Sequence, residues 1–399
     1  MDASSTATVL SCFSGVGGMD LGLEAAGFQH AACIEIDATA RRSLKANRGD
    51  QWPLFEEGDI LGAAKMLTPA ALGLHQQELT LLAGAPPCQP FSKAAQWSHT
   101  SRVGLEDKRS DSINGLLGLV ERFLPRAILI ENVTGFVQGP VEALSWVERS
   151  LGRINARRGT SYRAETRVID AASFGVPQHR RRAIIVALRD GEGFHWPAPT
   201  HDHAPVRAWD AIGSLKIAHA PPAVGKWAGL LPSIPEGENY LWHTPRGGGR
   251  PIFGYRTRYW SFLLKLAKDL PAWTLPAQPG PSTGPFHWDN RPLAVEEMLR
   301  LQSLPADWAV EGTYRNQVRQ VGNATPALLA EVLGRAILAS LKLPMSSALL
   351  RYEIPRRAHV PKAAPPHRVR AAYQVLEGDH PDHPGEGRGP KARSDRNDA

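Results

Sequence analysis

The stretch "TVLSCFSGVGGMDLGLEAAGF" (residues 8–28) passes from a β-branched apolar run, through glycines, into a segment with helix-like apolar spacing. "TVLSCF" (8–13) reads as a strand, and the "FSGVGG" turn (13–18) lets the backbone approach a ligand before a helix opens. The alternation then repeats. "AACIEID" (31–37), "LTLLAG" (79–84), "AILIENV" (127–133), "AETRVID" (164–170) and "RAIIVAL" (182–188) read as strands, with helical segments such as 37–48 and 112–125 between them. This order predicts an α/β fold built on a parallel, doubly wound sheet. Ligands then belong at the carboxyl ends of the strands.

The chain has 399 residues, enough for two domains, with 42% hydrophobic and 21% charged residues. It has no apolar run of bilayer length and no secretion signal in "MDASSTATVL", so no membrane is expected. Three cysteines, Cys12, Cys33 and Cys88, make no disulfide framework, and a cytoplasmic home follows. A formal net charge of +7 suits a polyanionic partner.

Residues 1–190 form the first part of the sheet domain, and 191–275 lose the alternation and read as a smaller, loop-rich domain. Helical pattern returns within 276–345, at 293–305 and 325–342, with Thr325 as N-cap and Pro326 as first helical residue. Residues 346–399 hold ten Lys/Arg and seven Asp/Glu among prolines and are expected to be a disordered basic tail.

Gly15 and Gly17 fit the dinucleotide fingerprint G-x-G-x-x-G, but its third glycine falls on Asp20, which disfavours a pyrophosphate. Glu35 and Asp37 end the second strand, where an acid can bind a ribose, and Asp59 in "GDI" can accept from an adenine amino group. An adenosine without a diphosphate fits, so S-adenosylmethionine is preferred to NAD. The plainer alternative is a tight turn with solvated acids at strand ends.

In "GAPPCQPFS" (84–92) the prolines hold Cys88 on a stiff turn just past a strand. A zinc deaminase would need a second cysteine at position 91, which is Phe91, and no Cys/His cluster has metal-ligand spacing, so no metal is expected. A buried structural thiol is the ordinary fate of cysteine. Against it, Glu131 ends the next strand in "ENV" (131–133), and "QHRRR" (178–182) brings Arg180 and Arg182 to the same region. A positioned thiol, a carboxyl and a guanidinium suit nucleophilic chemistry.

"FSGVGG", "GAPPCQPFS", "ENV", "QHRRR", "RPLAVEEMLRLQSLP" and "QVGNATP" together resemble the DNA (cytosine-5)-methyltransferase family, over roughly residues 8–190 and 270–342. "EDKRSDSI" (106–113) departs from it, since the family more often has Arg-Gly-x-Leu there. The resemblance implies a Rossmann-like S-adenosylmethionine methyltransferase sheet with a smaller DNA-recognition domain. It implies Cys88 as nucleophile on C6 of a flipped cytosine, Glu131 at N3 and the exocyclic amine, Arg182 at O2, and Arg180 as buttress or phosphate contact. Loop 92–104 would close over the base. For the cofactor it implies Phe13 on the adenine, the Gly15, Gly17 and Gly18 turn, Glu35 at the ribose, Asp59 at the amino group, and Pro87 and Asn323 lining the pocket. Double-stranded DNA would be the partner of a monomer, with a cognate restriction endonuclease acting separately. A tRNA cytosine methyltransferase and a catalytically silent DNA-binding regulator are the alternatives.

The resemblance does not extend to residues 190–275. There "TPRGGGRPIFGYRTRYW" (244–260) carries four arginines, three consecutive glycines and four aromatics. Arg246, Arg250, Arg256 and Arg258 are expected to contact DNA, with the glycines letting the backbone approach it.

Overall fold

The computed structural model describes residues 6–87, 111–138, 143–345 and 349–375. Cys88, loop 92–104 and residues 376–399 lie outside the described residues.

Six strands form one sheet: β1 (Thr8–Cys12), β2 (Gln29–Ile34), β3 (Leu81–Gly84), β4 (Ala127–Val133), β5 (Glu165–Asp170) and β6 (Arg181–Leu188), in the order β2-β1-β3-β4-β6-β5. The helices are α1 (Gly18–Ala26), α2 (Ala38–Arg48), α3 (Ile60–Met66), α4 (Asp111–Phe123), α5 (Gly135–Gln138), α6 (Ala143–Arg158), α7 (Ala208–Ile212), α8 (Val295–Leu301), α9 (Tyr314–Asn323), α10 (Ala327–Ser340) and α11 (Ala371–Gln374). Strand residues alternate between two cores. Val9, Leu81, Leu129 and Ile184 join one apolar cluster with α1 and α10. Leu10, Leu82, Ile128 and Ile185 join another with α3, α4 and α6. Both faces are therefore covered, as a doubly wound sheet requires. The strand order reverses between β1 and β3, which opens a ligand crevice at their carboxyl ends.

The sheet is not wholly parallel. β6 runs antiparallel to both β4 and β5. The connection from β5 to β6 holds only the short turn Ala171–Phe174, and a parallel return needs a longer crossover.

At the return of the chain, the N-cap of α10 is Pro326 rather than Thr325. Thr325 is buried and its carbonyl abuts Gly18, where an added Cβ would lie 2.3 Å from that oxygen. The α10 helix packs on α1 through glycine contacts: a Cβ on Gly22 would meet the Ala327 carbonyl at 2.2 Å.

A third apolar cluster, built around Trp227, Tyr240, Phe253 and Phe262, forms the core of a small lobe. It is irregular, with the short turns Ala228–Ser233 and Tyr240–His243. Phe194, Val206 and Ile212, within the 191–275 segment, instead join the sheet-domain core.

The expectation of disorder from residue 346 is corrected for residues 349–375. Tyr352 and Ile354 are buried in the sheet-domain core, and Tyr373 stacks on Trp227 of the small lobe, ring centroids 6.0 Å apart. A few apolar side chains spaced among prolines and arginines are enough to anchor the segment, although its composition reads as solvated. Among the described residues no helix is long and apolar enough to cross a membrane.

Candidate active site

Two groups of residues lie at the edge of the sheet where the parallel strands end. The first lies beyond β1 and β2. Phe13 turns the chain with φ 60, an uncommon backbone for a residue with a side chain. Glu35 is buried and each of its carboxylate oxygens accepts one backbone N–H, from Gly15 and from Asp37, both at 2.7 Å. Burial pushes the Glu35 carboxyl upward, against those two hydrogen bonds. Glu35 thus ties the glycine turn to the end of β2.

The three glycines of the turn differ. Gly15 has φ 57, and a Cβ there would meet only the Phe13 carbonyl oxygen, at 3.9 Å, so its backbone is uncrowded. Gly17 caps α1, and a Cβ there would strike Trp52 at 2.8 Å. Gly18 is enforced by Thr325. Asp20, in place of a third fingerprint glycine, accepts from Ser14 Oγ at 3.2 Å and from Cys33 Sγ at 3.5 Å, and its Oδ1 lies 3.3 Å from His30. The fold brings Asp20, His30 and Cys33 close enough to hold a cation, a cluster invisible in their sequence spacing. Its atoms already serve to hold the glycine turn through Ser14.

Asp37 caps α2 and pairs with Arg319 at 2.7 Å. Burial works against its ionisation, but the Arg319 and backbone hydrogen bonds win and hold the carboxyl at about 2. Asp59 caps α3, accepting from Leu61 and Gly62. Gly58 abuts the Glu35 carbonyl, where a Cβ would sit at 2.3 Å, and so brings Asp59 to the end of β2. Sequence reasoning passed over Ile36, which is 71% exposed between the acids of "EID". An apolar side chain flanked by two acids at a strand end was the available signal.

The second group lies where the end of β4 meets the start of β6. Arg182 Nε sits 2.8 Å from Glu131 Oε1, with both side chains largely buried. Oε1 is shielded from solvent and receives no aligned hydrogen bond, so the charge of Arg182 is what offsets its burial. Asn132, next to Glu131, donates to the Pro86 carbonyl at 3.1 Å. That bond anchors the Pro86–Pro87 turn two residues before Cys88, and Pro87 itself is exposed.

Arg180 does not join Glu131 in this arrangement. It is buried, and its guanidinium donates to the carbonyls of Gly322 at 3.1 Å and Asn323 at 3.4 Å. It buttresses the end of α9. Asn323 exposes its side-chain end beside that contact. Gln178 and Gln302, both fully buried, complete the junction. Gln178 donates to Gln302 Oε1, and Gln302 donates to Val321 and Ala324 carbonyls. This buried amide relay draws the "QHRRR", "RLQ" and "QVGN" stretches together.

The small lobe presents the arginine stretch. Arg246 lies 3.9 Å from the Tyr255 ring centroid and Arg256 5.3 Å from it. Arg256 adopts φ 59 and is exposed. Arg258 is half-buried over Phe253 and Phe262, and Arg250 donates to Gln374 at 3.1 Å. The three glycines are also required by packing: a Cβ on Gly247, Gly248 or Gly249 would strike Trp242 at 2.2–2.5 Å. Trp260 is 55% exposed and meets Trp273, whose ring lies 5.8 Å from that of His179. These aromatics form an uncovered ridge from the start of β6 to the lobe.

The sequence profile of C-5 cytosine-specific DNA methylases matches residues 7–227 and 254–339. The type II methyltransferase M.SacI of Streptomyces achromogenes is 34% identical over 370 residues, covering 84% of this chain and 93% of that protein. M.Eco47II of Escherichia coli, also a type II methyltransferase, is 31% identical over 353 residues, covering 83% of this chain and 78% of that protein. Among solved structures, Spodoptera frugiperda DNMT2 shares the fold with a TM-score of 0.59 at 15% identity, covering 83% of this chain and 99% of that one. The profile takes in all six strands, the Glu131–Arg182 pair and the returning helices. The chain belongs to the C-5 cytosine-specific DNA methylase family and is a DNA (cytosine-5)-methyltransferase.

Proposed function

We propose that this enzyme works through a covalent adduct of Cys88 with C6 of a flipped cytosine, with Glu131 and Arg182 holding the base. Cytosine C5 is a poor nucleophile. Addition of the Cys88 thiolate forms an S–C6 bond and pushes the ring electrons toward C5. Glu131, protonated when the base is bound, gives that proton to N3 and accepts from the exocyclic amine, so negative charge does not accumulate on the ring. Arg182 takes the O2 side. Once C5 carries the methyl group, a base removes the C5 proton, the electron pair restores the ring double bond, the S–C6 bond breaks to release the thiolate, and the N3 proton returns to Glu131. The observation that carries this reading is the buried Glu131 carboxyl held 2.8 Å from Arg182 at the end of β4, two charged side chains that such a depth would exclude without a role.

The residues of the first group fit S-adenosylmethionine, which supplies an electrophilic methyl carbon. Ile36 offers an exposed apolar face, flanked by the buried Glu35 carboxylate. Phe13, Gly15 and Glu35 would hold the nucleoside, with Gly17 and Gly18 shaping the turn behind them. Asp59, Pro87 and Asn323 would complete the rim.

The target base must leave the duplex, at a cost of a few kcal/mol. The small lobe would offset it by holding the flanking DNA. The family match and the type II relatives support duplex DNA over tRNA as the substrate, and the arginine stretch suits a polyanion. Given the type II relatives, we place the enzyme in a restriction–modification system, acting in the cytoplasm as a monomer beside a separate endonuclease.

Bisulfite sequencing of plasmid DNA from cells expressing the protein reports activity and site together. In vitro, DNA carrying 5-fluorocytosine should trap the wild-type protein covalently, because fluorine cannot leave as a proton does. An adduct that persists in Cys88→Ser would show that the nucleophile is another residue.

A further inference from the structure

Residues 349–375 run beyond residue 339, where the family match ends, and they touch both lobes. At the sheet domain the buried Glu331 of α10 accepts the backbone N–H groups of Arg351 at 2.9 Å and Tyr352 at 3.2 Å. Tyr352 and Ile354 then enter the main core. The next anchor is α7. Arg357 donates its backbone N–H to Asp210 at 2.8 Å, and its carbonyl accepts from Arg207 at 2.6 Å. Burial alone would raise the Asp210 carboxyl, but hydrogen bonds from Arg207 and Arg357 hold it below the ordinary range.

The far end lies on the small lobe. The His367 N–H donates to the Pro232 carbonyl at 2.9 Å. Tyr373 stacks on Trp227 with an interplanar angle of 26°, and its hydroxyl donates to the Lys226 carbonyl at 3.0 Å. Gly229 leaves the seat for this ring, since a Cβ there would lie 2.8 Å from the Tyr373 hydroxyl. Gln374 then accepts from Arg250, in the arginine stretch.

We infer that this segment is a strap that fixes the small lobe against the sheet domain, so that duplex DNA meets a cleft of preset width. A tether of this kind lowers the ordering cost of binding without touching the reacting atoms. Tyr373 and Arg357 are therefore positioning residues for DNA. The inference rests on the reading that the small lobe holds DNA.

The test compares full-length Tyr373→Ala, Tyr373→Phe, Gly229→Val and Arg246→Ala with the wild type, measuring KM for a cognate duplex, kcat and S-adenosylmethionine affinity. Tyr373→Ala and Gly229→Val should raise KM for DNA about tenfold, with kcat within about twofold and cofactor affinity unchanged. Tyr373→Phe keeps the stacked ring and should stay near wild type. Unchanged KM in Tyr373→Ala and Gly229→Val overturns the strap, as does a parallel fall of kcat and cofactor affinity, which would mark general loss of structure. If Arg246→Ala also leaves DNA binding unchanged while Tyr373→Ala raises KM, the strap stands and the assignment of the arginine stretch fails.

Discussion

Arg182 reaches Glu131 because β6 runs against β4, which pairs Val133 with Arg182 and Ile184 with Glu131. In an all-parallel sheet the start of β6 would lie at the opposite edge from the end of β4. The antiparallel strand is therefore what joins two stretches separated by about fifty residues of chain. Arg182→Ala leaves a buried carboxylate without its charge partner, a change that typically costs about 3–5 kcal/mol unless the group takes up a proton. Glu131→Gln should keep the fold and lower kcat by about 10²–10⁴-fold, the usual range for a lost proton donor. The double variant should be more stable than Arg182→Ala alone, because it removes the stranded charge. Denaturant unfolding with single-turnover methylation decides this. Wild-type rates in Arg182→Ala would remove the pair from the reaction.

The glycine turn makes a sharper prediction than the motif does. Gly15→Ala makes only an ordinary 3.9 Å contact with the Phe13 carbonyl oxygen and has the cost of a left-handed backbone, about 1 kcal/mol. Gly18→Ala drives a Cβ to 2.3 Å from a backbone carbonyl that α10 holds in place. Its cost should be several times larger, with α1 and α10 forced apart. Thermal unfolding of the two variants, without cofactor, gives the ranking. Equal stability would mean that the 325 turn yields easily.

Much of this was legible in the sequence. The strands lie where the alternation put them, since two-sided burial writes apolar runs that short strands cannot hide. The reversed β6 was not legible, because strand direction depends on how the chain returns and not on the strand's own residues. Glycines were legible as tight places but not as to what crowds them: Gly17, Gly18 and Gly247 face side chains or backbone far along the chain or across a turn. The strap was misread for a related reason. Tyr352, Ile354 and Tyr373 are few among charges and prolines, and only the partner surfaces reveal that each has a seat. Cys88, the residue on which the sequence argument turned, lies outside the described residues.

Lys265 is buried in the small lobe, donating to the Ile234 carbonyl and to Asn290, each at 2.8 Å. Desolvation lowers its ammonium group to about 8, although the Glu236 carboxylate opposes that shift. The unfolded chain therefore holds this proton more tightly than the folded one. The penalty for the charged form is fully present below pH 8 and is relieved as pH rises from about 8 toward the ordinary 10.5. Stability from this site should rise across that window, by at most about 3 kcal/mol. Urea unfolding from pH 7.5 to 9.5 should show the rise, and Lys265→Met should flatten it. An identical slope in both proteins would assign the effect to other groups.

The four arginines of 246–258 should separate by what each already touches. Arg258 is half-buried over Phe253 and Phe262, so Arg258→Ala should act through lobe stability. Arg246 and Arg256 flank the exposed Tyr255 ring, and Arg256 holds a backbone conformation that side chains rarely adopt. Strain of that kind persists where the surroundings enforce it, often at binding surfaces. An arginine on guanine is worth about 1–3 kcal/mol of discrimination, whereas a phosphate contact weakens all sequences alike. We therefore expect Arg246→Ala or Arg256→Ala to permit methylation at near-cognate sites. Trp260→Ala should instead weaken binding to every duplex, since an exposed ring braced by Trp273 offers apolar contact area with no hydrogen-bond code for a base. Genome-wide methylation maps for each variant, with binding isotherms at two salt concentrations, separate these effects. Should Arg246→Ala and Arg256→Ala both keep the wild-type site while Trp260→Ala alters it, the reading surface lies on the aromatic ridge.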